Sequence, residues 1–152
     1  MEYKSRGVSS LVELHEREMR AFLETWHRFV ASDAPVPEAH GDSSYESRET
    51  LLAHVLMAAR NYLTWMGECA GRPVTDVDPT KDAHAVFTRA PQFTEEVLAA
   101  WRRHMPEFTN EEIEKRGFAS RWGEPYTVEQ MLEHAVVHPM RHRIQLQRIL
   151  ES

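Results

Sequence analysis

The feature that most limits how this chain can fold is the recurrence of large apolar residues at spacings of three and four positions. This spacing places the side chains on one face of an α-helix. Four segments show it: about Ser9–Val30, about Ser47–Met66, about Phe93–His104, and from Thr127 to the C-terminus. No segment shows the clean alternation of a half-buried strand. The chain is therefore predicted to be all-α, a four-helix bundle that forms a single domain over residues 1–152.

Residues that cap helices indicate where several of these segments begin. Ser47 is predicted to be the N-cap of the second helix. Thr127 and Gln130 have the spacing of a capping box, which predicts the start of the last long helix. Thr109 and Glu112 have the same spacing, which predicts a short additional helical turn before it.

Two connections differ in length, and the difference bears on topology. Residues Asp33–Asp42 contain two prolines and a glycine and are predicted to form a loop. The connection from Gly71 to about Pro91 is much longer. A connection of that length typically crosses from one end of a bundle to the other or lines a functional site.

Composition excludes several classes of partner. The 152 residues carry 18 basic and 24 acidic side chains, a net charge of −6, and no Lys/Arg-rich stripe offsets it. Nucleic acid is therefore not expected as a partner. The chain has no apolar run long enough to span a membrane and no apolar segment typical of a secretion signal. With a single cysteine, Cys69, the sequence fits the reducing cytoplasm.

The most informative residues are three of the nine histidines, which lie four positions apart in the last helix: His134, His138 and His142. Neighbours in this series lie about 6 Å apart along the helix axis, and the outer two about 12 Å apart. Ligand nitrogens lie about 2 Å from a zinc-like ion, so one ion cannot bind all three. At most two neighbouring histidines can bind it together, and another helix must supply a third ligand.

Helical phase favours one of the two possible pairs. At about 100° per residue, with His138 at zero, the apolar residues of this helix cluster around roughly 60°. On the same scale His142 lies at about 40°, inside that stripe. His134 lies at about −40°, at the edge of the stripe. The inward pair is therefore predicted to be His138 and His142. A kink at Pro139 could change the direction of the two rings.

His54 is predicted to be the third ligand, because it lies on or near the apolar face of the second helix. Three imidazoles leave at least one coordination position open, which is typical of catalytic sites for zinc, nickel or iron. The alternative is that these histidines are hydrogen-bonded parts of the core. His15 also lies on an apolar stripe, so it is expected either in the core or close to the site.

Two segments resemble the DinB/YfiT-like superfamily of metal-binding four-helix bundles. The more specific is RWGEPYTVEQMLEHAVVHPMRHRIQLQRIL, which is similar to that superfamily's last helix and the turn before it; SRETLLAHVLMAARNYL is similar to its second helix. The resemblance implies an up-down-down-up order of helices and metal ligation by His54, His138 and His142. The common ending His-Arg-Gly-Gln reads His142-Arg143-Ile144-Gln145 here, and Pro139 between the ligands is also uncommon.

The resemblance also implies a function. Some members of the superfamily are S-transferases that use a low-molecular-weight thiol, so the expected activity is metal-dependent transfer of a thiol to a small-molecule substrate. Arg143, Gln145, His134 and His15 are expected near the metal as second-shell or pocket groups. Two alternatives remain open: a hydrolase that uses the same site, and a non-catalytic bundle that binds a metal or a small ligand. A homodimer is also expected.

Overall fold

The structure is a computed structural model and describes residues 2–152, most of which are helical. The four long helices are α1 (Arg6–Ala31), α2 (Arg48–Cys69), α4 (Ala90–His104) and α6 (Val128–Leu150). Two short helices, α3 (Ala83–Thr88) and α5 (Asn110–Glu114), lie in the connections. Single 3₁₀ turns cover Ser43–Tyr45 and Met105–Glu107. The prediction of an all-α chain with four long helices is thus confirmed.

The predicted caps account for the observed helix starts. The hydroxyl of Ser47 accepts a hydrogen bond from the backbone N–H of Thr50, at the start of α2. Complete capping boxes begin α5, at Thr109 and Glu112, and α6, at Thr127 and Gln130. In each box, side-chain oxygens accept hydrogen bonds from two backbone N–H groups that have no acceptor within the helix.

Two boundaries differ from those expected from the sequence. Helix α1 begins earlier than Ser9, because the hydroxyl of Ser5 accepts a hydrogen bond from the N–H of Val8 and caps the first turn. The long connection contains α3 and ends at Ala90, where α4 starts. Pro91 is tolerated in the first turn of α4, since backbone N–H groups there have no intrahelical acceptor.

A small hairpin between α5 and α6 was not predicted. Strands β1 (Phe118–Ala119) and β2 (Pro125–Tyr126) pair antiparallel, and two residues each are too few to show an alternating pattern. The hairpin is attached to α2, because the indole N–H of Trp65 donates to the carbonyl of Ala119 at 2.9 Å.

Ion pairs and ring contacts define the relative directions of the long helices. Helices α1 and α4 run in opposite directions, as shown by the pairs Glu16–Arg102 and Arg20–Glu95. Helices α2 and α6 also run in opposite directions: His54, near the start of α2, contacts His142, and Tyr62, farther along, contacts His134. In addition, α1 packs along α6, and α2 packs against α4.

The core is built mainly from large aromatic and aliphatic side chains. The largest fully buried ones include Trp101, Phe22, Phe29, Phe93 and Phe108. Burial of such a side chain stabilises the fold by about 1.5–3 kcal/mol. The indole N–H of Trp101 donates to the carbonyl of Ala59 at 3.0 Å, so its polar group is paired inside the core. Within residues 2–152, no helix is both long enough and apolar enough to cross a membrane.

Close backbone packing at the end of α2 leads to the first prediction. A Cβ atom at Gly67 would lie 2.8 Å from the carbonyl oxygen of Arg72 and 2.9 Å from a methyl carbon of Val74. We therefore expect Gly67→Ala to lower the free energy of unfolding by about 1–3 kcal/mol, although alanine favours helix. Urea denaturation followed by circular dichroism measures this change.

The matched control is Gly7→Ala in α1. There the nearest atom to an added Cβ is the Ser5 hydroxyl oxygen at 3.7 Å, an ordinary contact. This variant should be neutral or more stable by up to about 1 kcal/mol. Equal free energies of unfolding for the two variants would show that the contact with Arg72 does not restrict which side chain fits at position 67.

Candidate metal centre

Three histidines from two helices meet between α2 and α6. The centroid of the His54 ring lies 4.8 Å from that of His138 and 5.2 Å from that of His142. The rings of His138 and His142 are 4.8 Å apart. One ligand nitrogen from each ring lies within 4.8 Å of the others, and residues 2–152 contain no other such group of three metal-ligating side chains. The structure thus brings together the three residues that helical phase and the resemblance select.

The local helix geometry explains why these rings converge. His138 and His142 are one turn apart on the buried face of α6, where their exposed fractions are 8% and 5%. Helix α6 continues without interruption through the buried Pro139. The antiparallel α2 then places His54, which is half-buried, opposite both rings.

Burial keeps all three imidazoles neutral. Burial, together with the charges that His142 and His54 would carry, lowers the pKa of His138 to about 2. Burial and the nearby His54 lower the pKa of His142 to about 4. Burial also lowers the pKa of His54, an effect opposed by the negative charge of Asp42. At neutral pH each ring therefore has a lone pair on one nitrogen, the form that binds a metal ion.

The donor set fits a divalent transition metal. The Nε2 atoms of His54 and His138 are 3.0 Å apart. Two nitrogens at about 2.0–2.1 Å from a tetrahedral ion are separated by about 3.3 Å, which is close to this distance. Imidazole nitrogens suit zinc, nickel and iron alike, so the chemistry of the donors does not select among them.

Gln145 orients one of the three rings. Its side-chain oxygen lies 3.2 Å from Nδ1 of His142 and can accept the ring N–H. In that tautomer the Nε2 atom of His142 is the one with the free lone pair, as the second shell of a metal site requires. The Nδ1 atom of His138 is buried and has no hydrogen-bond partner.

His134 lies outside this group, in an aromatic cluster. Its ring is 4.7 Å from Trp122, 5.5 Å from Tyr62 and 6.4 Å from Tyr126, measured between centroids. Tyr62 also lies 5.7 Å from His138, so it connects the cluster to the three histidines. The position of His134 at the edge of the apolar stripe agrees with the phase argument.

Two residues expected near the metal have other partners. Arg143 forms an ion pair with Glu18 of α1 at 3.1 Å, so its guanidinium is directed toward that helix. His15 is 1% exposed and stacks on Trp101, with 3.8 Å between ring centroids. Arg143 is therefore held by Glu18 and not by the three histidines, whereas His15 takes the core position that was one of its two expected alternatives. Contacts across helix interfaces determine both placements.

A groove of about 630 Å³ adjoins the site, with His142 and Gln145 in its wall. Tyr45, Arg141 and Arg148 also line it, and the sequence analysis missed all three. The spacing of positions 141, 145 and 148 places them on one helix face, a signal that could have identified the two arginines. Tyr45 comes from the 3₁₀ turn before α2, and no sequence pattern indicates its position.

Comparison with protein-family models, with curated proteins and with solved structures gives no match to this chain. Membership of the DinB/YfiT-like superfamily therefore stays a prediction that depends on the two sequence segments quoted above.

The buried His15 leads to a prediction about pH. Burial lowers its pKa from 6.5 to about 3, and neither ring nitrogen has a hydrogen-bond partner. Below about pH 6.5 the unfolded chain therefore binds a proton at His15 that the folded chain does not bind, so acid lowers the free energy of unfolding. His15→Phe, which keeps the stacked ring, should reduce the slope of this dependence by about 1.4 kcal/mol per pH unit between about pH 4.5 and 6.

Urea denaturation at a series of pH values measures the slope. The control is His84→Phe, because His84 is exposed on α3 and should leave the slope unchanged. If the His15→Phe protein and the parent have the same slope, His15 is protonated in the folded state and the prediction is wrong.

Proposed function

We propose that this chain is a metal-dependent enzyme in which His54, His138 and His142 bind a divalent ion of zinc, nickel or iron. Its activity is the transfer of a low-molecular-weight thiol to a small-molecule electrophile. The observation that carries the proposal is the convergence of three neutral imidazoles beside an open groove. That groove has the size of a typical small-molecule site, about 300–1,000 Å³.

The proposed fold is a four-helix bundle with up-down-down-up order. Contacts between α1 and α6, α6 and α2, α2 and α4, and α4 and α1 support a closed arrangement of four helices. The antiparallel directions of α1 relative to α4, and of α2 relative to α6, are those that this order requires. The long connection between α2 and α4 then carries the chain from the end of the bundle where α2 stops to the opposite end, where α4 begins.

The residues of the site fit the proposed chemistry. A divalent ion bound there would supply an open coordination position and lower the pKa of a thiol that occupies it. The three histidines carry no charge, so they leave the positive charge of the ion uncompensated. The side-chain oxygen of Gln145 can accept the Nδ1 N–H of His142, which favours the required tautomer. The groove gives a small molecule access to His142.

The chain's own cysteine is not suited to be the nucleophile. Burial and the neighbouring Glu68 raise the pKa of Cys69 to about 11, so it remains a thiol at neutral pH. An external thiol is therefore proposed as the cosubstrate. When the thiol adds to an activated alkene, a carbon–sulfur bond forms and the π bond breaks. The thiol proton ends on the neighbouring carbon, so no oxidant is needed.

The metal centre can be tested by substituting one histidine at a time. We expect His54→Ala, His138→Ala and His142→Ala to lose stoichiometric metal, because each removes one of three ligands. His134→Ala is the matched control and should retain the metal, with affinity reduced at most by the factor of about 10–100 typical of an outer-shell loss. Inductively coupled plasma mass spectrometry on protein purified without a histidine tag measures the metal content.

Folding of each variant is checked by circular dichroism, so that loss of metal is not confused with loss of structure. If His134→Ala loses the metal while His142→Ala retains it, the assignment of the inward pair is wrong. If the parent protein binds no metal even after incubation with Zn(II), Ni(II) or Fe(II), both the transferase and the hydrolase are excluded.

The transferase can be tested by following the loss of a generic electrophile, 1-chloro-2,4-dinitrobenzene, in the presence of cysteine, glutathione or coenzyme A. We expect a thiol-dependent rate above the uncatalysed one, and a loss of that excess rate in His138→Ala. Here the sulfur displaces chloride, and the thiol proton is released to solvent. The hydrolase is favoured if thiols give no excess rate but a p-nitrophenyl ester is cleaved.

If metal binds but neither substrate reacts, the non-catalytic bundle is favoured. The homodimer and the location in the cytoplasm stay predictions. Light scattering over a concentration series tests the first of these.

A further inference from the structure

The groove beside the metal centre has an unusual charge for this chain. The whole chain has six more acidic than basic side chains, yet the groove is lined by Arg141 and Arg148 and by no carboxylate. Both arginines are exposed, and within residues 2–152 neither forms an ion pair. Arg143, between them in sequence, is paired with Glu18 and directed toward α1. The two groove arginines thus remain free to bind an anion.

The two arginines are well separated along the α6 wall of the groove. Arg141 and Arg148 are seven residues apart on α6, about 10 Å along the helix axis. His142 and Gln145 lie between them and also line the groove.

The rest of the groove wall is apolar or aromatic. Ile144 and Ile149 come from α6, and Tyr45 faces them from the turn before α2. Ile144 is 36% exposed, so its side chain is accessible to a molecule in the groove. The side chain of Ile144 therefore adds apolar surface to the groove wall.

We propose that the groove binds a small organic anion, with its acidic group on Arg141 or Arg148 and its hydrocarbon part against Ile144, Ile149 and Tyr45. This inference rests on the proposed function, since it names the substrate class of the same site. Guanidinium groups form charge-assisted, bidentate hydrogen bonds to carboxylate and phosphate, so either acidic group is compatible with them. The apolar wall favours an organic anion over free phosphate.

The test is a titration of ¹⁵N-labelled full-length protein with hexanoate, hexan-1-ol and inorganic phosphate, followed by amide chemical shifts. It is carried out on the protein as purified and again after EDTA, so that binding to the groove is separated from binding to a metal. We expect hexanoate to shift the amides of Tyr45, Ile144 and Gln145 under both conditions. Hexan-1-ol and phosphate should bind more weakly, because each lacks one of the two recognised parts.

The double variant Arg141→Gln/Arg148→Gln should weaken hexanoate binding roughly fivefold, a value suited to exposed charge-assisted hydrogen bonds. Arg17→Gln is the matched control, because Arg17 is exposed on α1 and lies outside the groove. It should leave the affinity unchanged. Raising the ionic strength should weaken binding to the parent protein more than to the double variant.

Two results would overturn the proposal. One is an unchanged hexanoate affinity in the double variant; the other is an equal affinity for hexanoate and phosphate, since the apolar wall would then contribute nothing. Neither result depends on metal binding, because the titration after EDTA contains no free metal. A chain that binds no metal but still binds hexanoate through its arginines would contradict the metal centre and leave the groove assignment intact.

Discussion

The antiparallel contact between α2 and α6 is the interaction on which the candidate site depends. It places His54 opposite His138 and His142, which a single helix turn already aligns. Neither helix alone can supply three ligands to one ion, because successive turns carry side chains away along the axis. The same contact brings Tyr62 against His134 and His138 and so connects the three histidines to the aromatic cluster of the hairpin.

The buried histidines lower the free energy of unfolding when the pH falls. Five buried or half-buried histidines have lowered pKa values, and burial is the main cause for each: His15, His54, His134, His138 and His142. The Nδ1 atom of His138 and both ring nitrogens of His15 lack hydrogen-bond partners, which is costly in a protein interior. For His138 a cation bound at Nε2 would stabilise the neutral ring, but it would leave the Nδ1 atom without a partner. For His15 the stacking on Trp101 is the only compensating contact that we find in residues 2–152.

Charge on α6 is separated by helix face. Arg143 is directed toward α1 and neutralised by Glu18, which strengthens the packing between these two helices. Arg141 and Arg148 are exposed and face the groove. Arginine therefore has two roles on α6: one arginine packs against α1, and two others make the groove wall electropositive. In a chain of net charge −6, this groove is thus lined by two arginines and by no carboxylate.

Local sequence determined the helices, their capped starts and the pair His138 and His142, because each depends on spacing within a few turns of one helix. Ser47, Thr109 and Thr127 cap helices through residues three positions away, and such short-range contacts can be recognised in sequence. The two-residue strands escaped detection because they are too short to show a period. Tertiary structure alone decided the destinations of Arg143 and His15 and the approach of Tyr45 to the groove. Each depends on a partner or a wall residue many positions away in the chain, and helical phase carries no information about which neighbouring helix a face will meet.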